Sequence, residues 1–197
     1  NIRKLNLKES LPSDISSLNI VVLTKTKKNY SNNNLPLFGI SDHIFKTFDD
    51  RPNLLTKREV RVQILADLEL PKNGVIWDIG AGCGSIGLEA LKLRPNLDLF
   101  CIDKRIGSKE LILENSKRLG VKPKFICEQD INNIFNTKNL GSFEKPNRLV
   151  IGGCDRKTKL KIINSLARWM SIGDIIVIPI IDIQTIKELK EELEDKN

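Results

Sequence analysis

The stretch VIWDIGAGCGSIG, residues 75–87, decides the fold of this chain. It begins with a nearly continuous apolar run, which is typical of a strand buried on both faces of a parallel sheet. Glycines at every second position follow, and the next residues predict a helix from about Ser85 to Leu93, ended by Pro95. This order predicts the first strand–turn–helix unit of a doubly wound α/β domain, in which ligands bind beyond the carboxyl ends of the strands.

The same alternation continues on both sides of this stretch. Strands are predicted over 97–102, 124–128, 148–151 and 175–178, and helices over 108–119, 157–170 and 185–193. Upstream, Thr56 and Glu59 form a capping-box signature that predicts a helix over 57–68, with Val60, Ile64, Leu65 and Leu68 at helical spacing. We therefore predict five parallel strands from residue 75 onward, covered by helices on both faces.

The first 54 residues follow a different pattern. A short β-type run over 18–23 precedes a polar stretch over 25–34, and we interpret these as a lone strand and a linker. A lone strand cannot bury both of its faces, so it must join other strands or pack on the main domain. Because the chain begins Asn1-Ile2-Arg3-Lys4, without Met or a signal-peptide core, we expect it to be part of a longer product.

Composition limits the classes of protein that fit. The chain has 197 residues, of which 40% are apolar and 29% charged, which predicts a globular domain with one core. No apolar run approaches the roughly 20 residues of a membrane span. Four scattered cysteines and the lone His43 predict reduced thiols in a cytoplasmic protein and no metal site. The net charge of +7 suits an anionic partner without identifying it.

The glycine-rich loop contains two overlapping fingerprints. Gly82-x-Gly84-x-x-Gly87 satisfies a dinucleotide pattern, whereas Asp78-x-Gly80-x-Gly82-x-Gly84 is the form seen where S-adenosylmethionine binds. A carboxylate at Asp78 would repel a pyrophosphate and attract the cationic ammonium and sulfonium groups of the methyl donor. The glycines also begin directly after the strand, as the second pattern requires. The loop therefore favours S-adenosylmethionine.

Two further acids follow the next two strands. Asp103 ends the second strand, where its carboxylate is placed to bind both ribose hydroxyls. Asp130 follows the third strand, placed to reach the adenine amino group while Ile131 packs on the ring. The structural alternative for these acids is a helix N-cap, and for the glycines a tight turn with close helix packing.

The loop after the fourth strand is the candidate substrate site. It lacks the Asn-Pro-Pro-aromatic sequence of enzymes that methylate amino groups. Gly152 and Gly153 leave room for a bulky planar acceptor, although an ordinary turn is the alternative. Arg156 lies nearby and is a candidate to bind carboxylates of an acidic substrate.

Three motifs in order resemble the decarboxylating precorrin methyltransferases of cobalamin biosynthesis: LTKREVR (55–61), WDIGAGCGSI (77–86) and VIGG (150–153). PLFGISD (36–42) is similar to the linker of fused forms that join a C-5 to a C-15 methyltransferase. The resemblance implies a Rossmann-like class I fold over residues 55–197, with residues 1–54 ending a preceding methyltransferase domain and its linker. It implies C-15 methylation of an anionic precorrin with loss of carboxylate, and a homo-oligomer, with a tetramer suggested.

The resemblance also assigns cofactor residues. They surround the three strand ends and are Thr56, Gly80, Ala81, Gly82, Cys83, Gly84, Asp103, Asp130 and Ile131. Two departures stand out: the family usually has Glu where this chain has Asp103, and two further strands after the last helix are not found. An incomplete sheet would leave the fifth strand as an exposed edge.

Three other functions remain open. An RNA methyltransferase is motivated by the positive charge, although we expect no nucleic-acid partner because RNA-binding proteins often have a denser mix of basic and aromatic residues. A non-catalytic module that binds the methyl donor and a nicotinamide-dependent dehydrogenase are the others. No catalytic residue is assigned, because an electron-rich ring carbon is already nucleophilic and needs positioning more than a base.

Overall fold

The fold is described from a computed structural model, which covers residues 10, 12–14, 35–52, 54–136, 143–166, 169–180 and 182–194. Contacts divide the chain into residues 1–30 and residues 31–197, and every element below belongs to the second unit. The strand predicted over 18–23 and the polar stretch over 25–34 lie outside the described residues. No helix in the described part is long and apolar enough to cross a membrane.

The second unit is a five-stranded parallel sheet with helices between the strands. The strands are β1 Gly74–Ile79, β2 Leu97–Asp103, β3 Phe125–Glu128, β4 Arg148–Ile151 and β5 Ile175–Val177. The helices are α1 Arg58–Asp67, α2 Ser85–Leu93, α3 Ser108–Leu119, α4 Ile131–Asn136, α5 Arg156–Leu166 and α6 Ile183–Glu194. The strand order β3-β2-β1-β4-β5 reverses between β1 and β4, so the carboxyl end of β1 opens onto a crevice. The predicted doubly wound fold is confirmed.

Residues of β1 alternate between two core layers. Ile76 joins the layer under α1, α2 and α3, whereas Trp77 lies in the opposite layer, which includes α5. The Trp77 ring is 5.9 Å from that of Phe100 and 5.6 Å from that of Trp169, measured between centroids. Asp78 therefore shares the face of Ile76, a placement that matters for its chemistry.

Helix α1 differs from its sequence prediction. It begins at Arg58 after Lys57, and no side chain caps it, so the predicted Thr56–Glu59 capping box is wrong. Val60, predicted on the apolar face, is 47% exposed, whereas Arg61 beside it is fully buried. The helix is rotated toward a charged partner inside the domain, which apolar spacing alone cannot reveal.

That partner is Glu89 of α2, itself fully buried. Arg61 Nε donates to Glu89 Oε2 at 2.7 Å, and Arg61 Nη1 donates to Asp42 Oδ1 at 3.0 Å. Glu89 Oε1 in turn accepts the backbone N–H groups of Gly39 and Ile40. These bonds attach residues 39–42, which we interpreted as linker, to the two helices of the domain. The domain boundary at residues 54/55 stays a prediction.

Other element bounds agree closely with the sequence. Helices α2 and α3 have the predicted ends, and Gly120 caps α3 in the left-handed conformation, with a φ of 68°. Helix α4 was not predicted, since six residues carry too little periodicity. Helix α5 begins one residue before the predicted range and ends at Leu166 rather than at Met170.

Candidate functional site

A cleft opens at the carboxyl ends of the strands, where the order of the sheet reverses. Its walls come from the loops after β1, β2, β3 and β4 and the start of α5: Ile79, Gly80, Ile102, Asp103, Lys104, Arg105, Gln129, Asp130, Ile131, Gly153, Cys154, Asp155 and Thr158. Five predicted site residues are among them: Gly80, Asp103, Asp130, Ile131 and Gly153. The topology thus brings together loops that are separated by up to about half of the chain.

Gly80 lets the loops after β1 and β4 meet. Its φ is 72°, and an added Cβ would lie 2.7 Å from the backbone nitrogen of Gly153. Gly152 is less tightly confined: its Cβ would lie 3.2 Å from the Gly80 carbonyl oxygen, and its N–H donates to Ile79 O at 2.7 Å. Backbone contact therefore requires glycine at position 80, Gly152 packs closely against it, and Gly153 lines the cleft.

The remaining loop residues differ in their access to the cleft. Gly82 has a φ of 59°, and the nearest atom to an added Cβ is Arg105 Nη1 at 3.6 Å. Gly84 precedes α2, and its Cβ would lie 3.1 Å from a Leu88 methyl carbon. The Cys83 side chain is buried in the core, and Ala81 packs partly against the same layer. Gly82 is thus next to a residue of the cleft wall, Arg105, whereas Gly84 serves helix packing.

Asp103 is the buried acid of the cleft. Its Oδ2 accepts the Gly82 N–H at 2.7 Å, and its Oδ1 accepts the Arg105 N–H at 2.9 Å. Each carboxylate oxygen can accept about two hydrogen bonds. The two bonds given above use one acceptor site on each oxygen, which leaves one further site on each. The pair of free acceptor sites suits a vicinal diol.

Asp130 combines a cleft position with a capping role. Its Oδ1 accepts the backbone N–H of Asn132 at 2.9 Å, which caps the start of α4. Its Oδ2 lies 3.9 Å from Lys104 Nζ. The neighbouring Ile131 is 4% exposed and belongs to the core layer of Trp77. The N-cap alternative for Asp130 is therefore observed, and its contact with adenine stays a prediction.

Asp78 lies beneath the glycine loop and is not part of the cleft wall. It is 1% exposed, its Oδ2 accepts the Gly87 N–H at 2.9 Å, and its Oδ1 has no hydrogen-bond partner among the described residues. Burial, opposed by the Gly87 bond, raises the pKa of Asp78 to about 7. The predicted contact with a cationic ligand stays a prediction, for which Oδ1 is the available atom.

This raised pKa gives a testable pH dependence of stability. The folded protein binds a proton at Asp78 up to about pH 7, whereas an unfolded chain releases it near pH 3.8, so stability falls as the pH rises between these values. A shift of this size corresponds to a loss of about 4 kcal/mol across the window. Asp78→Asn should remove that slope. Urea unfolding of the parent and the variant from pH 4 to 8 measures how the free energy of unfolding depends on pH. Parallel pH curves for the two proteins would contradict the prediction.

Thr56 and Arg156 are predicted site residues whose observed partners lie outside the cleft wall. The Thr56 carbonyl oxygen accepts a hydrogen bond from Arg61 Nη1 at 2.6 Å, which makes Thr56 part of the α1 anchor. Arg156 begins α5, and its Nη1 donates to Glu188 Oε1 of α6 at 2.8 Å. In this structure a helix two elements later supplies a carboxylate to Arg156, and the predicted contact of Arg156 with a substrate carboxylate stays a prediction.

Sequence reasoning missed several polar residues, of which Arg105 in the cleft wall and Asn115 beside the glycine loop have the most direct contacts with that loop. Arg105 is in the wall, and its guanidinium extends toward Gly82 and Gly153. Asn115 of α3 is fully buried and donates to the carbonyl oxygens of Cys83 and Lys46, both at 2.9 Å. A polar residue one turn after Leu111, on the buried stripe of α3, was the available signal for Asn115. Nothing in the sequence distinguished Arg105 from other surface arginines.

A sheet that reverses beside a glycine loop and a buried strand-end acid defines the class of nucleoside-binding α/β domains to which methyltransferases of this fold belong. Residues 47–195 match the family model described as "Precorrin methyltransferase domain". The chain therefore belongs to the precorrin methyltransferase domain family.

Individual relatives agree with this family. A probable cobalt-precorrin-6B C(15)-methyltransferase (decarboxylating) of Saccharolobus solfataricus is 32% identical over 79% of this chain and 76% of its own length. The precorrin-6Y C(5,15)-methyltransferase [decarboxylating] of Sinorhizobium sp. is 31% identical over 60% of this chain, but over only 27% of its own length. A crystal structure of precorrin-6y C5,15-methyltransferase from Geobacter metallireducens shares 30% identity at a TM-score of 0.69, covering 82% of this chain and 81% of that one.

Proposed function

We propose that this chain binds S-adenosylmethionine in the cleft and methylates carbon 15 of a precorrin, with decarboxylation of an acetate side chain, in cobalamin biosynthesis. The family and the activities named for the relatives support this reaction. The observation that carries the proposal is the placement of Asp103 in the wall of a cleft that also includes Gly80 and Gly153, with part of the acceptor capacity of its carboxylate left unused by the two backbone N–H groups that it binds. We also propose that the substrate is an anionic tetrapyrrole, and that nucleic acid is not a partner.

The described residues fit the methyl donor. Asp103 would accept from the ribose hydroxyls, and Gly82, which carries no side chain into the cleft, leaves space beside them. Ile131 and Asp130 stand at the next strand end, where an adenine base would extend. When bound, the donor supplies a methyl group on a positively charged sulfur, which is a strong electrophile.

The protein then needs mainly to orient the acceptor and exclude water. An electron-rich ring carbon attacks without prior deprotonation, provided that it is held in line at about 3–3.5 Å from the reacting methyl carbon. Gly153 adds no side chain of its own to the β4 side of the cleft, which would help a planar ring to approach. Proteins that act by positioning of this kind require no nucleophile or general base.

Methyl transfer tests the proposal directly. The protein is incubated with S-adenosylmethionine that carries an isotope-labelled methyl group and with a precorrin-6-type reduced tetrapyrrole, cobalt-free or cobalt-containing. We expect the tetrapyrrole to gain the labelled methyl group and to lose carbon dioxide, as measured by mass spectrometry. Label that appears in added RNA but not in the tetrapyrrole would identify an RNA methyltransferase instead. Binding of the donor without any transfer would identify a non-catalytic module.

A further inference from the structure

The Arg105 guanidinium lies beside Asp103, between the glycine-rich loop after β1 and the loop after β4. Its Nη1 is 3.6 Å from the position of an added Cβ on Gly82, and its Nη2 is 2.9 Å from that on Gly153. Gly153 lines the cleft, and Gly82 belongs to the loop after β1. Arg105 therefore bridges the loops after β1 and β4, across the approach to Asp103.

The contacts that hold Arg105 are weak for a group so enclosed. Its side chain is 25% exposed, its Nε is 3.7 Å from Asp103 Oδ1, and its Cζ is 5.8 Å from the centroid of the Phe48 ring. Among the described residues, the nitrogens of the guanidinium make no hydrogen bond. A guanidinium has five N–H donors in a fork that matches a carboxylate. Arg105 is thus a partly enclosed cation with unused donors.

A nucleoside and this guanidinium cannot use Asp103 in the same way at once. Ribose hydroxyls that donate to Asp103 would lie next to Arg105 Nε, which is close to Asp103 Oδ1. The rest of the cofactor would then cross the gap between Gly82 and Gly153. Binding must therefore turn Arg105 out of the gap. The displacement breaks no hydrogen bond of the guanidinium among the described residues, because its Nε is 3.7 Å from Asp103 Oδ1.

We propose that Arg105 exchanges partners during binding: the cofactor displaces it from Asp103, and the released guanidinium then binds a carboxylate of the substrate. This inference rests on the proposed function, because it requires a nucleoside cofactor and an anionic acceptor. Lys104, the adjacent residue, is paired with Asp130 at 3.9 Å and adds positive charge at the same rim. Because of this exchange, the cofactor binds before the substrate. A carboxylate of the substrate can bind Arg105 only when the cofactor is already in place.

Equilibrium binding tests the exchange. Calorimetry measures the affinity for S-adenosylhomocysteine, and fluorescence measures binding of uroporphyrin, a stable polycarboxylate tetrapyrrole, with and without saturating S-adenosylhomocysteine. Arg105→Ala should bind S-adenosylhomocysteine about fivefold more tightly, because the competing cation is gone. In the loaded protein the same variant should bind uroporphyrin about tenfold more weakly, because a charged hydrogen-bonded contact is lost.

Two further variants act as controls. Arg105→Lys retains the charge without the fork, so it should show a smaller loss of uroporphyrin affinity. Lys122→Ala removes one positive charge before β3, at the opposite edge of the sheet, and should bind both ligands as the parent does.

The failure of this inference differs from the failure of the proposed function. If the parent binds S-adenosylhomocysteine but Arg105→Ala binds it no more tightly, the exchange is overturned. An equal loss of uroporphyrin affinity in the loaded and unloaded variant also overturns it, since the contact would not depend on the cofactor. If the parent itself binds no S-adenosylhomocysteine, the proposed function fails and the exchange fails with it.

Discussion

Arg61→Met should lower the free energy of unfolding by about 3–5 kcal/mol, the range for removal of one partner from a buried ion pair. The substitution leaves the carboxylate of Glu89 fully buried beside two backbone N–H donors and without its cation. It also frees Asp42 and removes the guanidinium that lies 4.7 Å above the Phe45 ring. Urea unfolding followed by the fluorescence of Trp77 and Trp169 measures the change.

A matched control lies one turn earlier on the same helix. Arg58 is exposed, so Arg58→Met should change the free energy of unfolding by less than about 0.5 kcal/mol. The double variant Arg61→Met, Glu89→Met removes both buried charges and should be more stable than Arg61→Met alone. If Arg61→Met cost no more than Arg58→Met, the ion pair would not anchor residues 39–42 to α1 and α2.

The elements of this fold were predictable because their signals are local. The apolar run of β1 indicates burial on both faces, and Gly120 ends α3 through its own backbone freedom. Asp103 could be placed in the cleft from topology alone, since the ends of adjacent parallel strands meet at one edge. Where the position of a residue depends on its own helix or strand, the sequence was sufficient to predict that position.

The sequence was less informative where a residue far along the chain determines the direction of a side chain. Arg61 points inward because Glu89, 28 residues later, supplies a carboxylate inside the domain. Arg156 likewise pairs with Glu188, which is 32 residues later, a partner that the sequence did not indicate. Such pairings depend on how helices pack, and no spacing rule in one sequence encodes them. The strand run predicted over 18–23 remains a prediction, because those residues are outside the described part of the chain.

Asp103→Ala should abolish measurable affinity for S-adenosylhomocysteine, with a loss of at least about 100-fold, since two hydrogen bonds to a charged acceptor are removed at about 1.5–3 kcal/mol each. The substitution also leaves the Gly82 N–H without its acceptor, which loosens the glycine loop. Asp103→Asn keeps an acceptor oxygen and should retain the fold while losing most of the affinity. Asp98→Ala removes the same charge at the amino end of β2, where Asp98 pairs with Lys124, and is the matched control.

Calorimetric titration of S-adenosylhomocysteine into the parent, Asp103→Asn and Asp98→Ala tests most directly whether this cleft holds the methyl donor. The account predicts binding of one ligand by the parent and by Asp98→Ala, and little or none by Asp103→Asn at equal thermal stability. Equal affinity in all three proteins, or binding of a nicotinamide dinucleotide in place of S-adenosylhomocysteine, would contradict it.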